Sequence, residues 1–536
     1  MGNYSCKPIL ESIKVNGQFV NPSASADIPV LESSIHNPYG KNLLSFNMNF
    51  TFSRPLKYSY RVHGKTSDVD FTYAVDTYTL NPVVPVIGIY ATGTTTITFL
   101  LTDDNAVEYE IPVVTDDFTS LDIGVHLREI SIELLDDAMV EATIGNGWLF
   151  NDLMNGYDKN GDLRVTGFTG PVIHFPQFSA MKIHNNAFYV QSEHTAFYYS
   201  QRYDRYNMMG KLLNSYIAPE NYGFHHDITW DNQGYVYILG SPLTDEDPLR
   251  AGEPLTRSGT VIRNAAESDL KREGTVYKYR EDTGELVTSI EYSGLYDGTA
   301  TIADSVPNDV HFNTITYIPE IDQLVINSRN SCTYMGVDKR TLLPCWIVDN
   351  PNNPVPDMPE TALLLPEMYN LTVVNPGDFV YTNGTHCTLV TYNEKYESYR
   401  GENKIVMSLL DNVACKDPDG KDIMVLQEQA QEITDAGYNW DTAVQIVAID
   451  LNNRTVESLD RFTMAGERSR VTSCVFDSVN KKYFQVYHGV PANFFVIDTY
   501  GKVGVRARSI TANHEWSYRA IIWSYDQIRD MIATGL

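Results

Sequence analysis

Residues 311–329 read HFNTITYIPEIDQLVINSR. His311 and Asn313 lie two positions apart, and alternate residues of an extended strand share a face. A turn through Pro319, Glu320 and Asp322 would return the chain as a second strand, LVINSR, whose last residue, Arg329, comes back beside His311. One hairpin edge would then present an imidazole, an amide and a guanidinium. All three hydrogen-bond an anionic oxygen, and none is itself an anion. The ordinary alternative is a polar strand edge with a solvated arginine, so the rest of the chain has to decide.

Segments of the same kind recur. HHDITWDNQG, HFNTITYIPE, HCTLVTYNEK, VTSCVFDSVN and YRAIIWSYDQ each run from a polar head through an apolar strand to an aromatic and a turn, and FSAMKIHNNA is a looser sixth. Their heads are His226, His311, His386, Thr472 and Tyr518. Interleaved with them are strand pairs joined at Asp158, Asp204, Asp282, Asp338, Asp450 and Asp498, and an Asp before Gly or Asn is ordinary hairpin chemistry. Six copies at a spacing of roughly 50 residues, some stretched by insertions, predict a six-bladed β-propeller. The Asp158 hairpin has no such strand before it, and the last such strand has no Asp turn after it. The two leftovers should pair and close the ring, which removes exposed sheet edges.

The innermost strands of a propeller line its central channel, so the three histidines at equivalent positions of successive blades would converge. The chain has only 12 histidines, and three in this register are hard to dismiss as core residues. Three classes of function compete. Three imidazoles can bind zinc, but metal sites favour carboxylates in their surroundings, and Arg329 counts against one. A non-catalytic binding module is the commonest use of propellers. Group transfer is the third: one histidine attacks while the others and Arg329 hold an anionic group, an arrangement suited to a phosphoryl or sulfuryl group.

Composition narrows these choices. The chain has 536 residues, 43% of them hydrophobic, with 35 tyrosines, a globular and strand-favouring balance. Its net charge of −28 argues against nucleic acid or an anionic membrane as partner. No apolar run approaches the ~18 residues of a membrane-spanning helix. The start, MGNYSCKPILESIKV, lacks a signal-peptide core. A cytoplasmic protein is expected if the sequence is complete, a periplasmic or secreted one if it is a mature form. None of the 6 cysteines forms a CxxC pair, and Cys332 and Cys345 are expected to be free thiols, with a disulfide across their hairpin as the alternative.

Residues 1–115 read as an N-terminal β-sandwich, with Leu44, Phe46, Met48, Phe50 and Phe52 on one face of a strand. Residues 116–536 would form the propeller, starting with a short helix around DDFTSLDIG. Insertions at 241–274, 349–378 and 412–440 would form a lid, the last with a helix in IMVLQEQAQEITDAG. DKNGD at 158–162 has the look of a calcium loop but carries Thr169 where the loop's twelfth-position Glu belongs, so no metal is expected there.

These segments carry a family likeness. The sequence resembles the bacterial arylsulfate sulfotransferases, enzymes that need no nucleotide sulfate donor. HFNTITYIPEIDQLVINSR is similar to their His-x-Asn-Ser-Ile…Ser-Ser-Arg segment, and HDITWDNQG to their His-Glu-Ser-Ile…Gly segment, which selects His226 over His225. NMMGKLL, PVIGIY, YRVHGK, VTSCVF and SYRAIIW also have counterparts. FVYTNGTHCT resembles their Tyr-Thr-Gln-His-Thr segment, with Gly384 and Thr385 extra and Cys387 where the family usually has Thr. The resemblance implies a dimeric enzyme with no cofactor, moving a sulfuryl group from a phenolic sulfate ester to a phenolic acceptor by a ping-pong route through a sulfated histidine. It implies His386 as the nucleophile, with Arg329, His226 and His311 stabilising charge. Either His226 or His311 would protonate the leaving phenolate. Asn313 would donate to a sulfuryl oxygen, and Tyr518, Thr472 and Tyr90 would shape the aryl pocket, though Tyr90 and Thr472 could equally be packing residues. A metal-dependent aryl sulfate hydrolase remains the alternative enzyme.

Overall fold

The structure, a computed structural model, describes residues 6–9, 13–15, 17–19, 30–52, 54–102, 107–116, 130–152, 154–166, 179–196, 199–220, 222–242, 274–292, 312–329, 332–348, 369–376, 379–382, 385–416, 422–423, 439–463, 467–469, 473–489, 492–509 and 519–534. His311, Thr472 and Tyr518 lie outside them, as do most of the three insertions and nearly all of the two helices expected at 116–124 and 423–437.

Before residue 116 the chain builds two antiparallel sheets, one of seven strands and one of three. The strand Phe46–Thr51 is the middle of the smaller sheet. Leu44, Phe46, Met48, Phe50 and Phe52 are all buried, as their alternation predicts. Phe50 stacks on Phe99 of the larger sheet with ring centroids 4.6 Å apart, so the two inner faces form one core.

The strand order then describes six blades. Blade two is Ser179–His184, Ala187–Ala196, Tyr199–Tyr206 and Leu212–Ile217. Blade three is Tyr222–Trp230, Tyr235–Pro242, Thr275–Arg280 and Leu286–Glu291. Blade four is Phe312–Ile318, Gln323–Ser328, Thr333–Asp338 and Pro344–Val348. Blade five is Cys387–Val390, Lys404–Lys416, Asn439–Asp450 and Thr455–Thr463. Blade six is Ser473–Asp477, Phe484–His488, Asn493–Ile497 and Val503–Ser509. Blade one joins Gly147–Asn151, Gly156–Tyr157 and Leu163–Val165 to the last strand of the chain, Ala520–Ser524. The pairing of Gly147 with Ser524 through to Asn151 with Ala520 is the expected ring closure. A Cβ at Gly147 would lie 2.3 Å from the Trp523 carbonyl oxygen, so the closing strands approach this closely only with glycine there.

Three features depart from the sequence reading. Ile130–Leu134 adds to the outer edge of blade six, a second tie between the first and last parts of the propeller. The segment after Trp523 is a helix, Tyr525–Ala533, begun by a reciprocal capping box between Ser524 and Gln527. Its Ile528, Met531 and Ile532 are fully buried in the cluster that contains the sandwich core. The Asp-led turns at 158, 338, 450 and 498 have the carboxylate accepting backbone N–H groups two to four residues on. In blade two the turn residue is Asn207, whose Oδ1 accepts from Met209 N and Lys211 N. Asp204 is instead buried inside its strand, paired with Arg202, because two serines and a tyrosine there also donate to it.

The 158–162 loop is a latch between the sandwich and blade one. Asp158 pairs with the fully buried Arg164 at 2.9 Å, Lys159 reaches Asp68, and Asp162 receives Lys65. Arg164 also donates to the carbonyls of Gly88 and Val69. Gly88 has φ +83, and a Cβ there would lie 2.7 Å from the Trp148 ring, so glycine allows the indole to seat against the sandwich.

Candidate functional site

The inner strands are the six segments singled out in the sequence: Ser179–His184, Tyr222–Trp230, Phe312–Ile318, Cys387–Val390, Ser473–Asp477 and Ala520–Ser524. Three strands near the channel are interrupted at their site ends. Pairing shifts between Phe224 and Ile228, between Phe312 and Thr314, and between Asp411 and Ala414. Bulges of this kind re-aim side chains, and they fall at His225–Asp227, at Asn313 and at Asn412.

His386 immediately precedes its strand and is buried. Its Nδ1 lies 2.7 Å from Oδ1 of Asn412. The Asn412 amide nitrogen donates to Ser469 O at 2.8 Å and to Ser473 Oγ at 2.9 Å. Blade four grips the backbone on either side of the imidazole: Asn327 Nδ2 donates to Thr385 O at 2.7 Å, Asn313 Nδ2 to the same oxygen at 3.4 Å, and Thr314 Oγ1 to His386 O at 3.1 Å. Asn313 is thereby brought to the histidine segment, with its amide engaged on protein backbone. Arg329, half-buried, directly follows Ser328, which pairs with Phe312, so residue 329 follows the strand end that faces the start of the first strand.

His226 has φ +53, uncommon for a non-glycine residue and a mark of a backbone held by its surroundings. Its Nδ1 lies 2.8 Å from Nδ1 of His225, so one ring donates and the other accepts. Next to it, Asp227 is fully buried and receives Arg519 Nη1 at 2.9 Å, Lys182 Nζ at 2.7 Å and the Ile315 backbone N–H at 3.1 Å. Lys182 also donates to Ile228 O and Ile315 O, and Arg519 Nη2 to Asn313 O at 3.4 Å. Burial pulls the Lys182 ammonium below its ordinary pKa against the opposing pull of Asp227. A run of contacts therefore leads from Thr385, next to His386, through Asn313 and Arg519 to Asp227, beside His226.

Cys387 follows His386 but is no rival nucleophile. Burial pushes its thiol up to about 11, and burial also raises the thiol of Cys474 on the neighbouring inner strand. Cys332 and Cys345 are free thiols. Tyr90 is engaged at the junction of the sandwich with blade one. Its hydroxyl accepts from Lys65 N and from Arg164, which stands on the outermost strand of blade one, at the opposite edge of that sheet from the channel. The reason is the latch: Tyr90 stacks against the Arg164 guanidinium with 4.4 Å from its carbon to the ring centre, a domain-joining contact.

The residues that sequence reasoning missed are Lys182, Asp227, Asn327, Asn412 and Arg519. A signal existed for three of them, since Lys182 and Asp227 are charges inside inner strands and Arg519 is a charge at the start of the apolar AIIW strand, where unpaired charge is rarely tolerated. Among the described residues no group of three or more His, Cys, Asp or Glu side chains could hold a metal ion, and no helix is long and apolar enough to cross a membrane.

Sequence comparison assigns this architecture. The arylsulfotransferase (ASST) family matches residues 114–517, and the arylsulfotransferase Ig-like domain matches residues 33–116. The chain belongs to the arylsulfotransferase family, and aryl sulfotransfer is the activity that membership supports. No curated protein matches it. Among solved structures it is similar to a periplasmic gluconolactonase from Pseudomonas aeruginosa, at 8% identity over 88% of this chain and 99% of that one, with a TM-score of 0.32. It is also similar to the WD40 domain of a Toxoplasma gondii coronin, at 8% identity over 74% and 77%, with a TM-score of 0.31. At such scores the propeller rests on the strand order and not on these likenesses.

Proposed function

We propose that this protein is a nucleotide-independent arylsulfate sulfotransferase that moves a sulfuryl group between phenols through a sulfated His386. The observation that carries the reading is the hold on His386. It is a buried imidazole fixed through Nδ1 by an amide oxygen, with its backbone clamped by the blade that bears Asn313 and Arg329. In the first half-reaction an imidazole nitrogen attacks sulfur, the N–S bond forms and the S–O(aryl) bond breaks. The departing phenolate takes a proton from His226 or His311. In the second, an acceptor phenol gives its proton back to that imidazole, its oxygen attacks sulfur, and the N–S bond breaks. Arg329 and the cationic partner imidazoles hold the sulfate oxygens, where charge is greatest in the transition state. Asn313 would be free to donate to a sulfuryl oxygen once its long bond to Thr385 is exchanged. The partners are a phenolic sulfate and a phenolic acceptor, and the working assembly is a homodimer. Each chain divides into a sandwich over 1–115 and a catalytic propeller over 116–536. The role proposed for Tyr518 and Thr472 is to shape the aryl pocket, and Tyr90 serves the domain junction.

The test is incubation with an aryl sulfate, with and without added phenol. Formation of the sulfated acceptor, with donor turnover that depends on acceptor, is the expected result. Release of inorganic sulfate at a rate indifferent to phenol would make the protein a hydrolase, and no turnover of any aryl sulfate would leave a binding module.

A further inference from the structure

We propose that Asn412 is a positioning residue that holds His386 as its Nδ1–H tautomer, so that Nε2 is the nitrogen that takes the sulfuryl group. The inference rests on the reading of His386 as nucleophile. It starts from the amide. Ser469 O is a carbonyl and can only accept, so the end of Asn412 that faces it at 2.8 Å must be the NH2 group. The second amide hydrogen goes to Ser473 Oγ. The end facing His386 is therefore the amide oxygen, which can only accept, and at 2.7 Å it requires a hydrogen on Nδ1. In a neutral imidazole with Nδ1–H, the lone pair is on Nε2.

Asn412 is itself over-determined. It sits fully buried at the bulge in the strand Lys404–Lys416, where the pairing skips between Asp411 and Ala414. Thr442 Oγ1 donates to its carbonyl at 3.1 Å and accepts from Ser469 N at 2.7 Å, so one hydroxyl fixes both the amide-bearing residue and the carbonyl that orients it. Four segments thus converge to set one hydrogen bond.

The choice of an amide rather than a carboxylate suits a group that must leave as well as attack. After Nε2 displaces the phenolate, Nδ1 keeps its hydrogen, and the adduct is a sulfated imidazolium. A neutral oxygen holds that proton without removing it, and a protonated imidazole is the better leaving group when the acceptor phenol attacks. A carboxylate would stabilise the cation, raise the imidazole pKa and keep the free nucleophile protonated to higher pH. The charged groups around the histidine segment are Lys182, Asp227 and Arg519 towards the channel, Asp411 paired with Arg461 on the same sheet, and Arg329 on blade four. None of these is altered in the variants below, so a change in the acid limb reads position 412.

Nitrogen-15 NMR of the wild-type protein, labelled at histidine, should show His386 with hydrogen on Nδ1. A hydrogen on Nε2 instead overturns the proposal whatever any variant does. Asn412→Leu should lower kcat on the order of a hundredfold with KM little changed, and convert the His386 signal to a mixture of tautomers. Asn412→Asp should recover part of that rate at high pH and move the acid limb of kcat/KM upward. A full rate and an unchanged tautomer in Asn412→Leu would sink the proposal. Mass spectrometry separates the two readings. Sulfate on a peptide other than that of His386 in the wild type defeats the nucleophile assignment, whereas sulfate on His386 with an indifferent Asn412 defeats only this inference.

Discussion

Arg519 Nη1 and Asp227 Oδ1 lie 2.9 Å apart across 292 positions of sequence, both buried at the propeller's centre. The contact joins blade three to the strand that closes the ring, one residue from His226 on one side and one residue from Tyr518 on the other. Lys182 of blade two completes the group, and the Ile315 N–H brings in blade four. Closure of the ring and the backbone geometry at His226 are therefore fixed by the same carboxylate.

This arrangement makes an ordering that can be measured. Asp227 is one anion between two cations. Asp227→Asn leaves two buried cations without their counter-charge and should cost about 3–5 kcal/mol. Arg519→Met leaves a matched Lys182–Asp227 pair and should cost less. Urea titrations of the two variants decide it, through the midpoint at unchanged slope. An Arg519→Met variant as damaged as Asp227→Asn would show that the charge balance is not what the site responds to.

The end of the chain carries a second prediction. Removing residues 518–536 deletes the inner strand of blade one, leaves Gly147–Asn151 as an open edge, and strips Ile528, Met531 and Ile532 from the sandwich core. The truncated protein should lose its cooperative thermal transition. Ile528→Ala alone should cost about 2–5 kcal/mol. Unchanged melting after truncation would mean that the ring is closed by other contacts, of which the pairing of Ile130–Leu134 with blade six is the evident one.

How much of this could be read in the sequence follows from what each pattern encodes. Apolar alternation in LSFNMNFTF reports burial directly, and the strand–aromatic–turn repeat reports an inner strand, so all six inner strands and the closing pair were legible. An Asp in YDRYN reads as a turn residue from its neighbours alone. Only the folded blade shows that Asn207 makes the turn while Asp204 is held by Arg202. Asn412 was hidden because the strand Lys404–Lys416 runs on through a bulge into a segment that reads as an insertion. Lys182, Asp227 and Arg519 each stand out as a charge at an inner strand, but their meeting is a convergence of three blades, which no local pattern records. The roles expected of His311, Thr472 and Tyr518 fall outside the described residues.

Two titrating groups of blade six, the buried His488 and the half-buried Asp477, predict opposite pH responses. His488 has both ring nitrogens buried without a hydrogen-bond partner among the described residues, and burial pushes it down to about 3 from 6.5. Its contribution is present above pH 6.5 and is lost as the pH falls towards 3, at about 1.4 kcal/mol per unit. Asp477 is raised to about 6 from 3.8, by burial first, against hydrogen bonds from Thr391 and the Tyr392 N–H and the charges of Arg400 and Lys481. Its contribution is present below pH 3.8 and is lost as the pH rises through 6. Between pH 6 and 4 the two effects oppose each other. The stability of His488→Phe relative to wild type should therefore rise on acidification, and that of Asp477→Asn relative to wild type should fall. Denaturant midpoints at three pH values across that window check both signs, and parallel curves for all three proteins would contradict the environments described for these side chains.

The proposed chemistry is tested most directly in a single turnover. Only the nucleophile keeps the sulfuryl group after the first phenol has left, whereas charge-stabilising residues change how fast it arrives. With an aryl sulfate and no acceptor, the wild type should release up to one phenol per active site in a burst. His386→Asn removes Nε2 and should abolish the burst while the fold, read by thermal melting, persists. His226→Asn and Arg329→Ala should slow the burst by on the order of a hundredfold or more, without changing its final amplitude. Double-reciprocal plots with varied donor and acceptor should be parallel, because a covalent intermediate separates the two halves. Digestion of the trapped wild type should place the added sulfuryl mass on the peptide that contains His386. The same mass on the peptide of His226 or His311 would reassign the nucleophile to that blade and reduce His386 and Asn412 to supports for the channel wall.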